Sequence, residues 1–278
     1  MRDKVVIVTG ASSGIGLACV KAFAQKGSRV VLASRSRERL DEVGAQLQAK
    51  GHQCLVVRTD VSREDDCRHL IEATIERFGR IDILINNAGL SMRANFKQVE
   101  LSVLHRLMDV NFWGTVYCTR YALPHILRTK GSIVGICSVA GFIGLPGRTG
   151  YSASKFAMRG FLETIRNENL GHHLHVLIVA PGFTASNVRK SALTFDGTPQ
   201  GSTPREEGKM MTADEVAAKI CHAVRHRRNK LILTLVNGKL ALAINKLFPK
   251  LIARVAYRKM LREPDSPIEP TDSKSEPI

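Results

Sequence analysis

No Cys-x-x-Cys pair occurs in the chain, whose six cysteines (Cys19, Cys54, Cys67, Cys118, Cys137 and Cys221) are scattered without paired spacing. In a chain of 278 residues this argues against a disulfide framework and for reduced thiols in a cytoplasmic setting. The nine histidines never join the cysteines at ligand spacing, which excludes the common zinc signatures, and no metal is expected. His172, His173 and His175 read as loop residues between a helix and a strand. No apolar run approaches the ~20 residues needed to span a bilayer. The opening MRDKVVIVTG has a short apolar run and no small-residue cleavage site, so it does not read as a signal peptide. Acidic residues are absent from Lys219 to Arg262, where twelve Lys and Arg stand, and this stretch supplies most of the net charge of +16. Hydrophobic residues at 44% and charged residues at 24% otherwise describe an ordinary globular chain, long enough for one large domain.

What is present begins with Val5-Val6-Ile7-Val8, a β-branched run of the kind buried on both faces of a parallel sheet. It leads into Gly10-Ala-Ser-Ser-Gly14-Ile-Gly16 and a helical stretch from Leu17 to Lys26. Strand, glycine turn and helix make a phosphate site, because glycines admit a close backbone approach and helix N-terminal amides face the anion. Gly10, Ser12, Ser13, Gly14, Ile15 and Gly16 are its candidates, although the spacing is GxxxGxG and not GxGxxG. Further strands are expected at 29–33, 53–58, 81–85, 131–137, 175–179 and 231–236, with helices at 37–50, 63–78, 102–128 and 151–171. The alternation predicts an α/β fold, a single Rossmann-like doubly wound parallel sheet with helices on both faces. Ligands of such sheets bind beyond the carboxyl ends of the strands, where Gly10, Asn87, Ser138 and Gly182 all fall.

Tyr151 and Lys155 are four apart on an expected helix, and that spacing places them on one face. A free phenol titrates near pH ~10. A neighbouring ammonium lowers that value and makes the tyrosine a usable general acid or base.

Taken together, Thr9-Gly-Ala-Ser-Ser-Gly-Ile-Gly16, Asp60-Val61, Asn86-Asn-Ala-Gly89, Asn111, Ser138, Tyr151-x-x-x-Lys155 and Pro181-Gly182 run in order over about residues 4–190. In this the chain resembles the short-chain dehydrogenases/reductases. The resemblance implies that Ser138 hydrogen-bonds a substrate carbonyl, that Tyr151 protonates it, and that Lys155 lowers the tyrosine pKa and holds the nicotinamide ribose. It implies that Asn111 kinks its helix and positions a water in the proton relay. Asp60 and Val61 would meet the adenine, Asn87, Ala88 and Gly89 the adenosine ribose and sheet edge, and Pro181, Gly182 and Thr184 complete the cofactor site. The family often carries threonine four positions past that glycine; here Ser186 keeps the hydroxyl.

An acid at the end of the second strand binds a ribose 2′-hydroxyl, whereas an arginine accommodates a 2′-phosphate. The sequence there is Ser34-Arg35-Ser36-Arg37. NADP(H) is therefore favoured over NAD(H), with Arg35 as the phosphate contact and Arg37 or Arg39 as a second.

Residues 184–211 are rich in Ser, Thr, Gly and Pro and read as a mobile substrate lid on a catalytic domain of residues 1–237. Lys246, Lys250, Arg254, Arg258 and Arg262 recur every fourth residue beside Leu247, Leu251, Ile252, Val255 and Leu261. Residues 238–262 thus read as a basic amphipathic helical extension suited to peripheral contact with an anionic membrane. Such an extension most resembles that of family members acting on lipid or steroid ketones. Residues 263–278 read as a disordered tail. The expectation is an oxidoreductase interconverting a ketone and a secondary alcohol on a bulky apolar, lipid-derived substrate. The rivals are a 3-oxoacyl-carrier-protein reductase and a non-catalytic dinucleotide sensor. No nucleic-acid module is recognisable, and the resemblance implies a homo-oligomer, dimer or tetramer.

Overall fold

Alternate residues of the first apolar run enter different cores, as a strand's two-residue period requires. Val6 and Val8 pack with Phe23, Leu40 and Ile220, whereas Val5 and Ile7 pack with Leu70, Ile126 and Leu162. Strand β1 (Val5–Thr9) is buried throughout and lies between two neighbours inside a seven-stranded, all-parallel sheet. The computed structural model describes residues 1–182, 184, 191–201, 210–263 and 265–268.

The other strands are β2 (Arg29–Ser34), β3 (Cys54–Arg58), β4 (Ile83–Asn86), β5 (Ser132–Ile136), β6 (His175–Ala180) and β7 (Lys230–Ile232), in the order β3-β2-β1-β4-β5-β6-β7. Chain order reverses between β1 and β4, which opens a crevice at their carboxyl ends. Helices α1 (Gly14–Gln25), α2 (Arg37–Ala49) and α7 (Ala213–Arg225) cover one face. Helices α3 (Glu64–Phe78), α5 (Gly114–Arg128) and α6 (Thr149–Glu168) cover the other. The doubly wound fold expected from the sequence is therefore the fold observed.

Three local departures have physical reasons. The single helix expected over 102–128 is α4 (Leu101–Met108), a π-helical turn (Asp109–Trp113), and then α5. Such a turn is a common way to aim a side chain at a functional site. The last strand stops at Ile232 and the chain winds into a π-helical turn at Leu235–Leu240, because the Asn237-Gly238 pair favours turning. The basic extension is two helices, α8 (Ala241–Leu247) and α9 (Pro249–Leu261). Pro249 can start a helix but disfavours helical backbone in the residue before it, and Phe248 accordingly adopts φ −130° and ψ 63°. The cationic stripe is thus split between two helices. His175, grouped with the loop histidines but also the first residue of the strand expected at 175–179, is the buried first residue of β6.

Ser186 and half of 184–211 lie outside the described residues, as do 264 and 269–278. Glu263 and residues 265–268, at the start of the expected tail, are described and contact the body of the protein.

Candidate active site

The end of β1 is knotted to the end of β4. Thr9 Oγ1 accepts hydrogen bonds from the backbone N–H groups of Asn87 and Ala88, both at 3.0 Å. Asn87 Nδ2 donates back to the carbonyl oxygens of Thr9 at 2.9 Å and Gly10 at 3.2 Å. The glycine turn is packed against this knot. Gly10 has φ +65°, which costs other residues strain. A Cβ on Gly16 would stand 2.2 Å from the Gly10 carbonyl oxygen. Only glycine lets the turn close this tightly over the N-terminus of α1.

Gly10, Ser12, Ser13, Gly14 and Ile15 line one end of a cavity of about 630 Å³. Gly16 supports that end from behind. Arg35, Asp60, Val61, Asn87, Ala88 and Gly89 line the cavity farther along the strand ends. Asp60 is fixed there by Ser62, whose N–H and hydroxyl donate to its Oδ1 at 3.0 and 2.7 Å. Ser138, Tyr151, Lys155, Pro181, Gly182 and Thr184 line the remaining side. Asn111 is fully buried behind the wall. Its Oδ1 accepts from Leu90 N–H at 2.7 Å, and its Nδ2 donates to Leu90 O and to Ser154 Oγ, both at 2.9 Å. The fold brings these candidates to one crevice or its immediate support, whereas Arg37 and Arg39 do not line it.

Ser138 follows β5 by two residues and caps a short 3-10 turn, its Oγ accepting from Ala140 N–H at 3.2 Å. Lys155 is only 4% exposed, and its Nζ donates to Ile136 O at 2.9 Å. Burial pushes the Tyr151 phenol above its ordinary value, opposed by hydrogen bonding toward Ser138 and by the Arg148 guanidinium. Burial also pushes the Lys155 ammonium below its ordinary value. The direction of the Tyr151 shift is opposite to the lowering expected from the lysine's spacing. The lysine nitrogen is turned to the Ile136 carbonyl, 6.0 Å from the centre of the phenol ring, and burial of the phenol dominates.

Two parts of the cavity wall were not expected from the sequence. Arg148 lines the cavity, and its Nη1 donates to the buried Ser91 hydroxyl at 2.6 Å. Ile252, Val255, Ala256 and Met260 of α9 form an apolar part of the same wall. The helix was read as a surface for something outside, and no sequence period reveals that one side of it closes a cavity.

A dinucleotide fits the arrangement. The glycine cradle stands at a helix N-terminus, and beside it Ser34 Oγ is buried with no hydrogen-bond partner. Arg35 is exposed. Arg37 is occupied, its Nε donating to both Asp41 carboxylate oxygens at 3.0 and 2.8 Å. Phosphate cradle, switch-point crevice and Tyr/Lys wall together mark the class of dinucleotide-dependent oxidoreductases.

Residues 4–196 match the short chain dehydrogenase family model. The chain is 33% identical over 268 residues to dehydrogenase/reductase SDR family member 7B of Mus musculus, covering 95% of this chain and 83% of that protein. It is 42% identical over 190 residues to 11-beta-hydroxysteroid dehydrogenase 1A of Arabidopsis thaliana, covering 68% and 54% respectively. In structure it is similar to an alcohol dehydrogenase from the archaeon Thermococcus sibiricus complexed with 5-hydroxy-NADP, with TM-score 0.73, 26% identity, and 84% of this chain and 96% of that chain covered. The chain belongs to the short-chain dehydrogenase/reductase family, and it is an oxidoreductase.

Proposed function

We propose that the protein is an NADP(H)-dependent enzyme that interconverts a ketone and a secondary alcohol on a bulky, apolar, lipid-derived substrate. One observation carries the reading: Ser138, Tyr151 and Lys155 share a single cavity with the phosphate cradle and the apolar side of α9. The hydroxysteroid dehydrogenase among the similar proteins supports an apolar substrate.

Bound NADPH would supply the hydride. Negative charge then grows on the substrate oxygen, where a positioned donor lowers the barrier. Ser138 hydrogen-bonds that oxygen, and Tyr151 gives it the phenolic proton. The raised pKa of Tyr151 keeps that proton in place through the neutral range. Lys155 holds the nicotinamide ribose. With its ammonium made more acidic by burial, it also returns a proton toward the tyrosine along the relay that Asn111 anchors. Arg35 and Ser34 take the 2′-phosphate, which favours NADP(H) over NAD(H).

Residues 1–237 form the catalytic unit, the segment 184–211 covers the substrate, and 238–262 face an anionic membrane surface. Leu247 is 77% and Phe248 60% exposed, with Leu251 and Val255 exposed beside them. Lys246, Lys250, Arg254 and Arg258 surround this apolar patch and are exposed as well. Apolar insertion flanked by cations is the chemistry of an interfacial helix. Exposed Trp113 and Phe156, on the elements that carry Asn111 and Tyr151, suit a homodimer contact.

The test is initial rates with NADPH and NADH on short 3-oxoacyl thioesters, long-chain keto-lipids and keto-steroids. NADPH-dependent turnover confined to the long apolar compounds is expected. Preference for short thioesters makes the carrier-protein reading the better one, and tight NADPH binding without turnover makes the sensor reading better.

A further inference from the structure

Among the described residues, the buried lysine and arginine side chains are Lys155 and Arg93. Lys155 belongs to the site above, and Arg93 does not line the cavity. Its Nη1 donates at 2.6 Å to the carbonyl oxygen of Asp265. Its Nη2 lies 3.6 Å from Glu263 Oε2, the two side chains being 5% and 10% exposed.

The backbone around Arg93 is a junction. Arg93 N–H donates to Leu193 O at 2.8 Å, and Ala94 N–H to Gly147 O at 3.1 Å. Gly147, with φ +67°, lies so close to the arm after α9 that a Cβ there would stand 2.8 Å from Pro267 Cγ. Arg148, next in sequence, lines the cavity. Arg93 therefore joins the arm that follows α9 to the segments around Leu193 and Gly147.

Helix α9 buries little of its own surface. Met260, in its last turn, is its one buried residue, although Ile252, Val255, Ala256 and Met260 face the cavity. A buried ion pair is a poor source of net stability, because desolvating two charges offsets their attraction. It does fix geometry: the guanidinium fork directs a hydrogen bond at the Asp265 carbonyl and an ion pair at Glu263 at once. We propose that Arg93 is a positioning residue that pins the C-terminal end of α9 through Glu263 and the Asp265 carbonyl. The pinned helix is the outer wall of the substrate cavity, so Arg93 sets the enzyme's selection for bulky apolar carbonyl compounds. This rests on the substrate class proposed above.

The experiment compares wild type with Arg93→Lys, Arg93→Met, Glu263→Gln and the Arg93→Met/Glu263→Gln pair. Lysine keeps the charge but loses the fork. Arg93→Lys is expected to raise KM for a long-chain keto-lipid roughly tenfold while kcat and KM for a small cyclic ketone stay within about twofold, since the lost contact acts only through the wall. The double variant is expected to be no worse than Arg93→Met alone, the signature of two residues acting as one unit. Amide hydrogen exchange, read without substrate, is expected to speed up in 249–261 and to remain unchanged in β5 and α6. Equal losses on small and large substrates, or unchanged exchange in α9, overturn the proposal. If wild type reduces none of these carbonyls, the functional reading fails, and exchange in α9 still decides whether Arg93 pins the helix. If Arg93→Met does not fold, Arg93→Lys decides by the same readouts.

Discussion

The Lys155 ammonium donates to the Ile136 carbonyl at 2.9 Å and lies 6.0 Å from the centre of the Tyr151 ring. Being one helical turn apart gives these side chains a common face but not a direct bond. The ordinary values of the two groups are close, 10.0 for the phenol and 10.5 for the ammonium, and burial moves the first up and the second down. In the reduction proposed above, opposite shifts would favour the return of a proton from lysine to tyrosinate.

The pH dependence follows in sign. A phenol shifted upward stays protonated below its ordinary value of ~10. Carbonyl reduction at saturating NADPH is expected to be flat through the neutral range and to decline only above that value. Alcohol oxidation, which needs the phenolate, is expected to rise with pH over the same range. Tyr151→Phe should cost on the order of 10²- to 10⁴-fold in kcat, the usual contribution of a positioned proton donor, with NADPH binding retained. A reduction profile that breaks on a single ionisation near pH 7 would place the proton on another group.

Arg35 is exposed beside the buried, unpartnered hydroxyl of Ser34, while Arg37 is engaged by Asp41. Arg35→Ala is expected to raise KM for NADPH roughly 10- to 100-fold, the worth of a charge-assisted contact to phosphate, and to leave KM for NADH nearly unchanged. Arg37→Ala should change neither by more than about twofold, as expected of an exposed pair. Steady-state kinetics with both cofactors checks this; equal losses on the two would remove the phosphate contact from Arg35.

Much of this architecture is legible in the residues because two physical periods dominate it. Buried β-branched runs such as Val5–Val8 fix the strands, and the glycines after them fix where the chain turns over a ligand. Asn111 was recognisable from its place among other motif residues, and its π-helical turn gives that recognition a geometry. Arg93 was not legible. It stands in a loop with no period, and its partners Glu263 and Asp265 are about 170 residues away in the chain, beyond the reach of any local pattern. The direction of the Tyr151 shift was not legible for a related reason. Spacing reports which side chains are neighbours, but not how completely the surroundings exclude water, and here burial outweighs charge.

Leu247 and Phe248, at the junction of α8 and α9, are the two most exposed apolar side chains of the extension. Replacing both by aspartate removes apolar area worth about 1.5–3 kcal/mol for each buried side chain and sets negative charge against anionic lipid. Flotation with phosphatidylserine-containing vesicles at physiological salt should show wild type bound and the double variant at least tenfold weaker, whereas neutral vesicles retain less of both. Wild type that stays unbound on anionic vesicles sinks the membrane-facing reading and leaves the catalytic one untouched.

His175 opens β6 with both ring nitrogens occupied: Nδ1 lies 2.9 Å from Ser132 Oγ, and Nε2 donates to Arg228 O at 2.9 Å. Burial pushes its pKa below the ordinary value, helped by the Arg227 charge and opposed by the Arg228 carbonyl. The folded protein thus holds the ring neutral at a pH where the unfolded chain, titrating near ~6.5, has already taken a proton. More protons bound in the unfolded state means stability falls as pH falls. The loss begins near the unfolded value and continues down to the lowered folded one, at up to about 1.4 kcal/mol per pH unit for one proton. His175→Gln keeps a polar pair for Ser132 and Arg228 but cannot titrate. Urea unfolding at pH 7.5 and 5.5 should therefore show a smaller pH-dependent drop in the variant than in wild type. Equal drops would assign the acid sensitivity to other groups, with His125, also shifted downward by burial, the next to replace.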